Sequence, residues 1–182
     1  YHILYSKINY VFRSGGYVRT DEEHAMVEEI SEHPLIKGKN TAQSRRAATI
    51  CFYTQGFCQW AKRDWVQSFE KFSRAKQILD DNPLIKADLP KRYIRTLHYL
   101  IQCLIELGRF KEARDSIKQL RALDGQEGFA GIDIHVHIFN ASYLTELRML
   151  DRMGEQVKAL EMVQPIITGL EELGPRLHKE YE

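Results

Sequence analysis

The stretch Tyr93–Leu123, YIRTLHYLIQCLIELGRFKEARDSIKQLRAL, decides the fold. Apolar residues recur at Ile94, Leu97, Leu100, Ile101, Leu104 and Ile105, then at Phe110, Ala113, Ile117 and Leu120. Steps of three and four place each set on one face of a helix, where a strand would alternate. Between the sets stands Leu107-Gly108-Arg109-Phe110, and Gly108, lacking a Cβ, takes a left-handed helix cap at little cost. Two helices folded back on each other are predicted. A single hairpin cannot bury its own apolar stripe, so the pattern demands neighbours of the same kind.

Moving outward supplies them. Upstream, a helix over Ala42–Ala61 follows an N-cap at Asn40 or Thr41 and breaks at Lys62-Arg63-Asp64. Its partner runs from Trp65 to Leu79, is closed by Asp81-Asn82-Pro83, and leads to the entry at Leu89-Pro90. Earlier still, Thr20-Asp21-Glu22-Glu23 fits a capping box for a helix that ends at Glu32, before His33-Pro34. An amphipathic segment over Tyr1–Arg13, broken by Ser14-Gly15-Gly16, pairs with it. Downstream of the loop containing Gly125, Gly128 and Gly131, helices are predicted over Ile134–Asp151 and Glu155–Leu173. Pro165 should kink or end the latter, and Gly174-Pro175 should begin a new piece. The hairpins thus fall at 1–33, 41–80, 90–123 and 132–173 of a single domain. A start without Met and a stop within a helical pattern read as a piece of a longer chain.

The hairpins align on their turns. Trp65, Phe110 and Met153 are the large residues opening each second helix, 45 and then 43 residues apart. Ser68, Ala113 and Gln156 follow three residues later, then Phe72, Ile117 and Leu160, then Ala75, Leu120 and Val163. Nine residues before each turn position stand Gly56, Ile101 and Leu144. A second echo is Pro34-Leu35-Ile36-Lys37 against Pro83-Leu84-Ile85-Lys86.

Gly56 with Trp65, Phe72 and Ala75, and Gly108-Arg109-Phe110 with Ala113, resemble the tetratricopeptide repeat, whose signature sets Gly, aromatic and Ala residues at such offsets. The spacing exceeds the ~34 residues usual for that repeat. The long form, with its Pro-Leu-Ile-Lys element, is similar to helical-repeat proteins of bacteria. The resemblance implies an all-α fold, antiparallel hairpins stacked into a right-handed superhelix. It also implies a non-catalytic scaffold that binds a protein or peptide in the groove lined by the first helix of each hairpin. The residues placed there are Tyr53, Phe57 and Trp60, then Arg95, His98, Gln102 and Glu106, then Ala141, Thr145 and Arg148. Family members that clamp a terminal carboxylate use Lys and Asn where Tyr53 and Phe57 stand here, so that specificity is not implied. An alternative function is the peptide-sensing or dimerisation part of a larger bacterial regulator.

Composition bounds the rest. In 182 residues, 43% hydrophobic and 28% charged, there is apolar material for a core and no sign of disorder. A net charge of +1 gives no global attraction to nucleic acid or to an anionic membrane. No apolar run reaches the roughly 18 residues of a membrane span. Cys51, Cys58 and Cys103 lie in helical apolar patterns and read as reduced core thiols, which suits a cytoplasmic setting.

Other signals for chemistry fail on geometry. Lys37, Lys39, Arg45 and Arg46 are echoed by Lys86, Lys91, Arg92 and Arg95, either an edge for an acidic partner or a solvated rim neutralised by Glu32, Asp80, Asp81 and Asp88. His135-Val136-His137 would diverge on a helix and has no third ligand near it, so no metal is expected. Cys103 lacks a basic neighbour, and Ser14-Gly15-Gly16-Tyr17 lacks the lysine of a phosphate loop. Neither a cofactor nor catalysis is predicted.

Overall fold

A computed structural model describes residues 20–38 and 40–181. The segment expected over Tyr1–Arg13, the glycine break after it, the Thr20–Glu23 side chains and Lys39 lie outside the described residues. All regular structure among those described is helical, and no strand occurs among them. The chain divides into two compact units between Lys86 and Ala87.

The first unit holds α1 (Thr20–Ser31), α2 (Ala42–Ala61) and α3 (Trp65–Asp80), and α4 (Pro83–Asp88) begins in it. Thr41, one of the two candidates, is the cap of α2. Its Oγ1 accepts from the Ser44 N–H at 3.1 Å, and Ser44 Oγ accepts from the Thr41 N–H at 3.0 Å, a reciprocal box. Helices α2 and α3 form a hairpin that packs tightly at Gly56. There the Phe72 ring lies where a side chain would be, and Ser68 Oγ donates to the Gly56 carbonyl at 2.9 Å. The two proline echoes dispose their side chains alike, although residues 34–38 form turns and Pro83–Asp88 a helix. Ile36 and Ile85 point into the core, Leu35 and Leu84 are exposed, and Lys37 and Lys86 pair back to Glu32 and Asp80.

The second unit holds α5 (Pro90–Glu106), α6 (Phe110–Arg121), α7 (Ile132–Phe139), a π-helical turn at Asn140–Leu144, α8 (Thr145–Arg152) and α9 (Gln156–Tyr181). The α5–α6 hairpin buries Leu97, Ile101 and Leu104 against Ala113, Ile117 and Leu120, the residues that the three-and-four spacing selects. Phe110 is only half-buried, as are Trp65 and Met153, because a residue opening a helix stands at the edge of the hairpin. Phe129 covers the Tyr93 ring edge-on at 5.9 Å. All three cysteines are buried and free.

Three turns share one backbone device. Arg63, Gly108 and Gly154 are left-handed, with φ of 61°, 72° and 72°. After each, the next N–H reaches back five residues, Asp64 to the Gln59 carbonyl, Arg109 to Leu104 and Glu155 to Leu150. This closes the helix end by the six-to-one bond of a Schellman cap. It also corrects the register of the third hairpin. The left-handed residues are 45 and 46 apart, and α9 opens at Gln156, not at Met153. Ala159 then takes the place of Ser68 and Ala113, and Ile166, which is buried, that of Ala75 and Leu120. Leu160, expected to match Phe72, is 71% exposed.

The expected end of α9 at Pro165 or before Gly174 is a second correction, since the helix runs on through Pro165 and Pro175. Buried Ile166 and Leu173 anchor it, and at Gly169 the Phe139 ring lies against the backbone. That tertiary packing holds the segment helical despite the N–H groups the prolines lack. No helix among the described residues is long and apolar enough to cross a membrane.

Candidate functional site

The groove residues fall into two groups, one in each unit. In the first, α2 carries Tyr53, Phe57 and Trp60. Tyr53 is 1% exposed, and its ring meets Phe72 edge-on at 5.6 Å. It belongs to the core, which corrects its assignment to the groove; a tyrosine one turn before Gly56 falls on the side of α2 that faces Phe72 of α3. Phe57 and Trp60 are half-buried and stack at 5.8 Å with 17° between their planes. Trp65, from the start of α3, meets Trp60 edge-on at 6.4 Å. The turn at Arg63 folds α3 back and so adds this third ring. Three large rings gather at one end of the hairpin.

In the second unit the polar residues of α5 stand opposite those of α7, the π-helical turn and α8. Lys91 pairs with Asp133 at 2.5 Å. Gln102 Nε2 lies 2.7 Å from His98 Nε2, and His98 Nδ1 lies 3.2 Å from Thr145 Oγ1. With Gln102 donating, the ring proton sits on Nδ1, toward Thr145 and the Ala141 carbonyl. Further along, Arg148 and Arg152 both donate to the Glu106 carboxylate. His98, Gln102, Thr145 and Arg148 are therefore brought together, but largely to bond one another across the helices. Arg95 remains exposed on α5. Spacing alone does not reveal this pairing, which depends on the distance between helices.

Burial pulls the His98 pKa down, the Ala141 carbonyl opposes this, and Arg148 adds to it. The His137 pKa is lowered by burial and by Arg95 and Lys91 nearby, with Asp133 opposing. His135 turns away and pairs with Asp124 at 2.5 Å, as the divergence of positions two apart on a helix requires. Among the described residues, no group of three or more His, Cys, Asp or Glu side chains is gathered as a metal site would need.

The basic strip is a neutralised rim where its partners are described. Lys37, Lys86 and Lys91 are ion-paired. Arg45 binds the Asn40 side-chain oxygen through Nε at 2.9 Å and that of Asn82 at 2.5 Å, tying the loop before α2 to the end of α3.

One feature without a sequence signal is a cleft of about 600 Å³ lined by α1, α2 and Lys71 of α3. Gln55 lines it and is 3% exposed, yet its Oε1 receives no hydrogen bond. A glutamine next to Gly56 in a helix gives no hint of such burial. No protein-family model, curated protein or solved structure matches this chain. The functional reading therefore rests on the residues themselves.

Proposed function

We propose that the protein is a non-catalytic scaffold of tetratricopeptide-like hairpins, built as a right-handed superhelix, that binds a protein or peptide partner. The three turns with one backbone device, 45 and 46 residues apart, support the repeat reading. The observation that carries the binding reading is the Phe57–Trp60–Trp65 ring cluster. Half-buried aromatic rings combine large contact area with few rotatable bonds, and such residues dominate the energetics of protein interfaces. The polar row of the second unit contributes less, because its members satisfy one another.

The experiment is a screen of a displayed peptide library against the full chain, followed by affinity measurement for a selected peptide. Trp60→Ala should weaken binding by about 2 kcal/mol or more, whereas Gln102→Ala should change it little. Equal affinity for wild type and Trp60→Ala would remove the ring cluster from the site.

A second reading, the dimerisation part of a larger regulator, is favoured by α9. Val157, Leu160, Val163, Ile167 and Leu170 recur in helical steps and are all at least 40% exposed, an apolar face of the kind that marks interaction sites. Sedimentation of wild type against Leu160→Glu tests it. A monomer in both would discard this reading.

A further inference from the structure

Of the three left-handed turns, the one between α2 and α3 departs from glycine. Arg63 holds φ of 61° where Gly108 and Gly154 stand in the others, and among the described residues it is the one non-glycine with positive φ. A side chain with a Cβ is strained in that conformation, and such strain collects where function needs it. Stability gives no reason for the arginine. Lys62, with φ of −78°, already sets a cation at that end of α2 without strain.

The Arg63 guanidinium is exposed and makes no ion pair or side-chain hydrogen bond among the described residues. In the other two turns the charged residues pair locally, Arg109 with Glu112 and Glu155 with Lys158, both at 2.6 Å. Here the adjacent acid, Asp64, caps α3 by accepting from the Gln67 N–H at 3.1 Å, and Lys62 has interactions of its own. Arg63 is thus the cation that this turn offers to a partner. The turn joins Trp60 to Trp65, and the Arg63 N–H donates to the Trp60 carbonyl at 3.0 Å, which holds the residue at the edge of the ring cluster. Val66, next to Trp65, is 55% exposed. An apolar surface with one guanidinium at its rim complements an apolar side chain with a carboxylate close by, which the guanidinium grips through two parallel hydrogen bonds. A nucleic acid would need several phosphate contacts, and one arginine beside an aspartate does not supply them.

We propose that Arg63 is the specificity determinant of the ring cluster. It binds an Asp or Glu side chain of a peptide whose neighbouring apolar residue packs on Phe57, Trp60 and Trp65. This rests on the ring cluster being the binding surface and adds the class of peptide it takes, an acidic one. Glycine would relieve the strain at this position but could not carry the charge.

The test is an NMR titration of the isotope-labelled full chain, followed at the indole N–H signals of Trp60 and Trp65, its two tryptophans. The probes are the peptide GEEFLEEG, acetylated and amidated at its ends, and its neutral and basic counterparts GQQFLQQG and GKKFLKKG. The acidic peptide should shift both signals saturably and bind roughly threefold to tenfold more tightly than the neutral one, with the basic one weakest. Arg63→Gly and Arg63→Asn both keep a left-handed turn. Each should lose that preference while unfolding at a denaturant midpoint no lower than wild type, whereas a residue serving only the fold would not lose affinity as stability rises. Equal binding of the acidic and neutral peptides, or a preference that survives in both variants, would overturn the assignment. Loss of both peptides in Trp60→Ala would in that case still leave the ring cluster as the site. No saturable shift with any peptide would overturn the assignment together with the reading it rests on. Tighter binding of oligothymidylate than of the acidic peptide would overturn it in favour of nucleic acid.

Discussion

The Phe72 ring lies on the backbone of Gly56, so close that a Cβ at position 56 would come to 3.1 Å from three ring carbons. Phe72 is fully buried and is met by Tyr53 on another side, so the ring has little room to retreat. Gly56→Ala gains about 1 kcal/mol in helix propensity but forces overpacking that costs ~1–3 kcal/mol. A net loss is expected in urea unfolding. Adding Phe72→Leu should make the alanine less costly than it is alone, a coupling that a double-mutant cycle reads directly.

The turns offer the opposite sign. Arg63 occupies the left-handed conformation that glycine supplies at Gly108 and Gly154, and a residue with a Cβ is strained there by roughly 1–2 kcal/mol. Arg63→Gly should therefore stabilise the protein by about 1 kcal/mol, read as a higher denaturant midpoint at unchanged slope. Gly108→Ala should lose a similar amount through the backbone alone, because its Cβ would meet nothing within 4 Å. If Gly56→Ala costs as much in the Phe72→Leu background as in wild type, Gly56, too, answers only to its backbone.

Much of the helical fold is legible in the residues, and the limits have physical causes. Ala42–Ala61 is bounded as read, because Thr41 caps one end by its own side chain and the Lys62–Asp64 break closes the other. The third hairpin is misread by three residues because Met153 is large, like Trp65 and Phe110, yet stands before its left-handed residue where they stand after theirs. Aligning Gly154 with Gly108 recovers the register. The π-helical turn at Asn140–Leu144 has no such marker, since neither Gly nor Pro occurs in it. Whether a polar side chain faces a partner or its neighbour is decided between helices. Accordingly, the spacing sets Phe57 and Trp60 apart from the fully buried face of α2, but it does not show the mutual bonding of His98 and Thr145.

The ion pairs at Glu106 should respond asymmetrically. Its side chain is 7% exposed, while those of Arg148 and Arg152 are 46% and 51% exposed. Removing the acid releases two arginines into water they already touch, so Glu106→Gln should cost under about 1 kcal/mol. Removing both arginines leaves a carboxylate enclosed without a partner, and Arg148→Ala with Arg152→Ala should cost about 2 kcal/mol, below the full buried-pair range because part of the site is wet. Denaturant unfolding of both variants decides the order. A larger loss in Glu106→Gln would show that the acid is solvated in solution.

Histidine burial gives the protein a pH dependence with a defined sign. The pKa values of His98 and His137 are both lowered, chiefly by burial. In the unfolded chain they titrate near 6.5. Below that value the unfolded state binds more protons than the folded one, so stability falls as acid is added and is fully present above it. The loss should begin as pH drops below about 6.5 and level off below the lowered folded values. Asp133, whose pKa is lowered mainly by its bond to Lys91, adds a loss only at more acid pH, through the ordinary carboxylate range. Urea midpoints at intervals between pH 5 and 8 separate the two, and His98→Gln should flatten the upper part of the curve. A profile unchanged by that substitution would place His98 in water rather than between Gln102 and Thr145.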